Sequence, residues 1–202
     1  VYGGTYRLIN QILINFGIES SWIDTTDLDT IQSNIGSSTK MIFIESPTNP
    51  MMELCDISAI SKIAKDNHLQ LIVDNTFMSP YYQRPLNLGA DIVVHSTTKY
   101  INGHSDIIGG VVISNNEEVL EKLHFIQMSV GAVPGPMDCW LTQRSLKTLA
   151  IRMKAHNYNA IQIANMLANN SKIINTFYPG LQSHPQYKLA TSQQLDPDGN
   201  PG

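Results

Sequence analysis

The chain has 202 residues, 42% of them apolar and 15% charged, with a net charge of −4 and a pI near 5.8. That is an ordinary globular composition with room for one sizeable core, or a domain plus part of another, and its acidic balance argues against a nucleic-acid partner. No apolar run is long enough to span a bilayer, and neither the six scattered histidines nor Cys55 and Cys139 show metal-ligand or disulfide-framework spacing. No signal peptide is visible. The chain begins at Val1 rather than Met, so it reads as cut or processed. The two cysteines make a reducing, cytoplasmic setting the default expectation.

Tyr2-Gly3-Gly4-Thr5 opens with turn chemistry. Leu8, Ile12 and Phe16 then recur at helical spacing until Gly17 stops the helix. Ser20 to Asp24 predicts a short strand, and Asp27 opens a helix to about Ile35. Met41 to Ile44 predicts a buried strand that runs into Glu45-Ser46-Pro47-Thr48-Asn49-Pro50, a loop fixed by two prolines. Asp56 is a good N-cap for a helix whose apolar face is Ile57, Ile60, Ile63 and Ala64. Leu69 to Val73 is the next strand, so strand, helix and strand form a βαβ unit and the sheet is expected to be parallel.

A third buried strand, Ile92-Val93-Val94, leads to His95-Ser96-Thr97-Thr98-Lys99. Turn residues Asn102 to Ser105 follow, and then another apolar strand, Val111 to Ile113. Asn115 with Glu118 resembles a capping pair for a helix to Ile126. Pro136 suits a first helical position, and Met137 to about Ala168 then predicts one unbroken helix of roughly 50 Å. Arg144, Lys147, Arg152 and Lys154 are expected on its solvated face. Ile173 to Tyr178 predicts a further strand, and a turn-rich tail ends the chain.

Five features carry chemistry. Lys99 lies just past a buried strand among hydroxyls. It is either an ordinary surface lysine or a Schiff-base lysine whose partial burial favours the neutral amine. Ser96 and Thr98, two apart on an extended chain, share a side and are candidates to hold a phosphate. Asp74, at the carboxyl end of its strand, either closes an Asx-turn or faces a ligand crevice. An Asp and a Lys on one crevice suit pyridoxal phosphate, with the Asp keeping the ring nitrogen protonated. Asn49 has both donor and acceptor groups for a cofactor hydroxyl or a substrate carboxylate, or merely favours a turn. Glu45 is a candidate orienting residue.

The run DIVVHSTTKYINGHS from Asp91 to Ser105 resembles the lysine signature of the cystathionine γ-lyase family, the pyridoxal-phosphate enzymes of cysteine and methionine metabolism. VYGGTYR at Val1, ESPTNP at Glu45, VDNTF at Val73 and GAVP at Gly131 look like its other landmarks, in the family's order. Phe77 to Pro85 looks closest to the γ-lyase branch. Gly4 stands where the methionine γ-lyase branch typically has cysteine.

The resemblance implies a type I pyridoxal-phosphate fold in the α/β class, a largely parallel sheet flanked by helices with the start of a smaller C-terminal α/β domain. Residues 1–136 would be part of the large cofactor-binding domain, 137–170 a connecting helix, and 171–202 the beginning of the second domain. It implies Lys99 and Tyr2 as catalytic residues, and Lys99, Asp74, Ser96, Thr98, Tyr2 and Asn49 as cofactor-binding ones. Tyr2 would stack on the ring.

The implied reaction turns cystathionine into cysteine, 2-oxobutanoate and ammonia, with no metal, in a cytoplasmic homotetramer. Family regions upstream and downstream, including a phosphate-cradling loop and a carboxylate-binding arginine, have no counterpart in these residues, so the piece alone is expected to turn over substrate poorly. Cystathionine γ-synthase is the alternative on the same machinery. A further alternative is an inactive fragment or interaction module that keeps the fold, against which the intact Lys99, Asp74, Ser96 and Thr98 argue.

Overall fold

The computed structural model describes residues 1–202. Four strands, β1 (Met41–Glu45), β2 (Gln70–Asp74), β3 (Ile92–Ser96) and β4 (Gly110–Ser114), form one sheet in the order β1-β2-β3-β4. β1, β2 and β3 are parallel and β4 is antiparallel to β3. Eight α-helices accompany them: α1 (Gly3–Arg7), α2 (Leu28–Ser33), α3 (Ile57–Asp66), α4 (Ser79–Tyr82), α5 (Glu117–Val130), α6 (Pro136–Leu146), α7 (Leu149–Ala168) and α8 (Tyr187–Gln193). No helix is long and apolar enough to cross a membrane.

The core lies between α3 and the first two strands. Asp56 caps α3 by accepting from the Ala59 N–H at 2.9 Å. The helix then buries Ile57, Ile60 and Ala64 against Ile42, Ile44, Leu71 and Val73. Such a stripe, at helical spacing on one side and alternating positions on the other, makes the crossover bury apolar surface on both elements at once. Gly89, in the left-handed region at φ +97°, lets Ser61 of α3 pack against the turn before β3, where its hydroxyl donates to the Gly89 carbonyl at 2.7 Å.

Four expectations change. Ser20 to Asp24 is not a strand. No strand lies beside it, and Ser20 Oγ and Trp22 Nε1 both donate to Asn10 Oδ1 at 3.1 Å instead. α5 starts one residue later than expected, with Asn116 accepting from the Val119 N–H, while Glu118 pairs with Lys122. Ile173 to Tyr178 forms no strand and joins no sheet.

Most consequential, the helix expected from 137 to 168 is two helices, broken between Leu146 and Leu149 with no glycine or proline at the break. The Ser145 carbonyl accepts from the Thr148 N–H, the Thr148 hydroxyl and the Arg152 guanidinium, each at 3.1 Å. That crowd of donors replaces the regular helical ladder at this turn, and side-chain insertion of this kind ends or bends helices. α7 alone, at 20 residues, spans about 30 Å.

The C-terminal segment docks on the loop after β1 through side-chain amides. Gln186 exchanges two hydrogen bonds with the Leu54 backbone, at 2.8 and 2.6 Å. Gln193 accepts from the Ile57 N–H and donates to the Cys55 carbonyl and to Gln83 Oε1. Gln83, fully buried, donates in turn to the Ser46 carbonyl and to Asn75 Oδ1, each at 2.8 Å. Each amide needs its partners, because an unpaired polar group in a dry interior is costly. Replacing Gln83 by methionine keeps the volume and removes every bond. We expect Gln83→Met to lower stability by about 3 kcal/mol, read as a lower urea midpoint at unchanged slope. A loss under about 1 kcal/mol would show that the amide chain is not what joins the two segments.

Candidate active site

The parallel register brings three strand ends to one edge. Glu45 pairs with Asp74, Asp74 pairs with Val94, and Ser96 lies two residues beyond. Asp74 does close an Asx-turn, accepting at Oδ1 from the Thr76 N–H at 3.0 Å and from the Thr76 hydroxyl at 2.6 Å. The same hydroxyl accepts from the Ser96 N–H at 2.9 Å. Thr76 thus ties the end of β2 to the end of β3, while Asp74 Oδ2 accepts no hydrogen bond and stays available to a ligand. The Asx-turn reading of Asp74 holds at Oδ1, and Oδ2 carries no hydrogen bond. Thr76 is a site residue that the sequence reading passed over. Its signal was there in Asp-x-Thr, a spacing that lets a hydroxyl reach back to the carboxylate.

β3 stops at Ser96 and the chain turns at once. The Lys99 N–H donates to the Ser96 carbonyl, the Asn102 N–H to Thr97 and the Gly103 N–H to Lys99. Ser96 and Thr98 are therefore not alternate residues of one extended strand, as their spacing implied; a turn relates them. The Thr98 hydroxyl exchanges bonds with the Gly109 backbone, accepting from its N–H at 3.0 Å and donating to its carbonyl at 3.3 Å. The Ser96 hydroxyl has no protein partner.

Lys99 is exposed rather than partly buried, and its amine makes neither an ion pair nor a hydrogen bond. Burial is therefore not what prepares it, and no carboxylate occupies it. Tyr100 packs against the Tyr81, Tyr82, Leu149 and Met153 cluster, and His104 shapes the turn by contacting the Asn102 carbonyl at 2.6 Å.

Tyr2 and Asn49 make no side-chain hydrogen bond to these residues. Tyr2 is half exposed at the start of α1, and its ring folds over Gly4. A Cβ at position 4 would stand 2.7 Å from that ring, so a cysteine there requires the ring to move. Asn49 is exposed at the tip of a turn that Thr48 closes with Glu53. Glu45 is buried, and burial, reinforced by the Asp74 charge, pushes its carboxyl up. Its carboxylate lies 3.7 Å from the Val1 nitrogen, so Tyr2 stands near the end of β1.

His95, buried between these strands, is pushed down to about 4 by burial, against the opposing pull of the Asp74 charge. Its Nδ1 has no hydrogen-bond partner.

A free carboxylate oxygen, a free hydroxyl, a second hydroxyl on a turn and an unpaired primary amine share one sheet edge. That donor set fits a phosphorylated aromatic aldehyde with a basic ring nitrogen. The amine would meet the aldehyde, the hydroxyls the phosphate and the carboxylate the nitrogen.

Comparison with known proteins agrees with this chemistry. A family model described as Cys/Met metabolism PLP-dependent enzyme matches residues 1–199. A probable cystathionine γ-synthase of Herpetosiphon aurantiacus is 49% identical over 193 residues, covering 96% of this chain and 60% of that protein. A cystathionine γ-lyase of Dictyostelium discoideum is 49% identical over 96% of this chain and 50% of its own length. The crystal structure of cystathionine γ-lyase from Lactobacillus plantarum complexed with L-serine superposes with a TM-score of 0.95 at 43% identity, covering 97% of this chain and 51% of that one. The chain thus spans about half the length of the relatives it matches.

The His95 environment makes a prediction. Its folded value, about 4, lies below the ordinary 6.5, so folding favours the neutral ring. The stability this contributes is complete above pH 6.5 and is lost as pH falls toward 4. Over that window the wild type should lose roughly 3 kcal/mol more than a His95→Gln variant, measured by urea unfolding at stepped pH. Equal pH slopes would contradict a buried neutral His95.

Proposed function

The chain belongs to the Cys/Met-metabolism pyridoxal-phosphate-dependent enzymes, and from that premise we propose that it carries out γ-elimination on a sulfur amino acid, splitting cystathionine into cysteine, 2-oxobutanoate and ammonia. The observation that supports this most is the Lys99 amine. It is free of any acidic partner and lies just past the strand end that Thr76 ties to Asp74.

When bound, pyridoxal phosphate supplies an electron sink for charge that develops on the substrate's carbon atoms. Lys99 would hold the cofactor through Nζ. The same nitrogen, when free, would take the proton from substrate Cα and return protons to the substrate as the sulfur-bearing γ-substituent leaves. Asp74 would keep the ring nitrogen protonated, and the Thr76 hydroxyl holds that carboxylate at Oδ1. Ser96 and Thr98 hold the phosphate. Tyr2 covers the ring from water, and Asn49 binds the ring hydroxyl or the substrate carboxylate.

A γ-synthase, in which a nucleophile adds at Cγ after elimination, is the second reading. It uses the same residues, and a relative with that name is 49% identical. The reading further makes the protein a cytoplasmic homotetramer in which 1–136 is part of the large domain, 137–170 the connection and 171–202 the start of the smaller domain.

With added pyridoxal phosphate, we expect a visible band that borohydride fixes as a mass increase on the peptide containing Lys99. Lys99→Ala should lack both the band and the adduct. A band of equal strength in Lys99→Ala would overturn the assignment. A panel of cystathionine alone, and of an activated homoserine ester with cysteine, separates elimination from replacement.

A further inference from the structure

The turn that bears Lys99 is held from behind by one side chain that the functional reading does not use. Arg152, in the first turn of α7, was expected on a solvated face. It instead donates through Nη1 to the Tyr100 carbonyl at 2.7 Å and through Nη2 to the Ile101 carbonyl at 3.3 Å. Nη2 also reaches the Ser145 carbonyl at 3.1 Å, and Nε donates to the Thr148 hydroxyl at 3.1 Å. No carboxylate pairs with Arg152; the ion pairs of the chain lie elsewhere. Its whole donor fork is directed at carbonyl and hydroxyl oxygens of two segments, the turn after Lys99 and the α6–α7 break.

The turn is shaped to receive it. Gly103 lies at φ +73°, and a Cβ there would collide with Arg152 Nη1. The Gly103 N–H closes onto the Lys99 carbonyl at 2.7 Å. Asn102, fully buried, accepts from the Ser145 hydroxyl at 3.2 Å, a second link between the same two segments. Lysine has a flexible four-carbon stem, so the protein can fix where the amine sits only by fixing the backbone beneath it. A rigid guanidinium fork on the two carbonyls that follow Lys99 does this with charge-assisted bonds.

We infer that Arg152 is a positioning residue for Lys99, a bracket that locks the lysine-bearing turn to the start of α7. The inference rests on the proposed role of Lys99. The bracket also meets the α6–α7 break, where the Ser145 carbonyl accepts from Arg152 as well as from Thr148.

The test uses Arg152→Met, which keeps the stem, and Arg152→Lys, which keeps the charge but cannot span two carbonyls, both in the intact protein. Without added cofactor, the Asn102 and Gly103 amides of Arg152→Met should exchange about tenfold faster than in wild type, while those of Leu71 and Val73 stay unchanged. With pyridoxal phosphate and cystathionine, kcat should fall about 100-fold for a lysine displaced by roughly 1 Å, with KM within about twofold of wild type, and Arg152→Lys should fall between. Unchanged exchange and unchanged kcat in Arg152→Met overturn the inference. If that variant does not fold, wild-type exchange and kcat in Arg152→Lys overturn it. Failure of wild-type Lys99 to take the cofactor would instead overturn the functional reading, and the exchange experiment would still decide whether Arg152 holds the turn.

Discussion

One hydroxyl governs the geometry of the candidate site. Thr76 Oγ1 has a single proton, and it goes to Asp74; its lone pair takes the Ser96 N–H. Parallel strands leave the groups at their carboxyl ends without ladder partners. An edge built for a ligand must satisfy some of these groups and leave others free. Thr76 divides them. One Asp74 oxygen and the Ser96 backbone are consumed internally, and the second oxygen and the Ser96 hydroxyl carry no hydrogen bond. The carboxylate is thereby fixed in rotation by one oxygen alone, the kind of support a preorganised site requires. The distances, 2.6 and 2.9 Å, are those of well-made bonds.

The loops around that edge are held by a different device. Asn75, Gln83 and Gln193 form a chain of fully or nearly fully buried amides from the end of β2 to α8. Amides suit this place because each both donates and accepts, so a chain of them can satisfy irregular backbone from two directions. An apolar contact would bury the same surface but would not fix the loop to a fraction of an ångström. The Ser46 carbonyl, which starts the proline-bounded loop bearing Asn49, ends that chain. The loop that carries a candidate binding residue is therefore set by residues well over a hundred positions later in sequence.

Much of this could be read from sequence where the signal is local. Apolar β-branched runs gave the buried strands, Asp56 gave a capped helix, and Pro136 gave a helix start, because each rests on chemistry within a few residues. Lys99 and Asp74 could be picked out because an ionisable residue at the end of an apolar strand is conspicuous. What could not be read depends on partners distant in sequence. The helix break has no glycine or proline to announce it; it exists because three donors converge on the Ser145 carbonyl. Arg152 looks like any basic residue on a helix until Gly103 and the Tyr100 carbonyl are seen beneath it. Whether Lys99 is exposed or partly buried could not be read for the same reason. Hydroxyls beside a lysine in sequence say nothing about whether the turn points its stem inward.

These restraints share a design. Thr76, the amide chain and Arg152 all act on backbone groups or on the inner atom of a site residue, and none occupies an outward functional atom. A residue that supported Lys99 by pairing with its amine would compete with the ligand and would have to let go at each turnover. Supporting the turn through the Tyr100 and Ile101 carbonyls leaves the amine free to change partners while its base stays still. The order is set when the chain folds and need not be created when a ligand arrives. A restraint of this kind requires a helix close enough to deliver the guanidinium. In this chain that helix is α7, whose Leu149 and Met153 pack on Tyr81 and Tyr82 and against Tyr100, and so fix the distance across which Arg152 must reach.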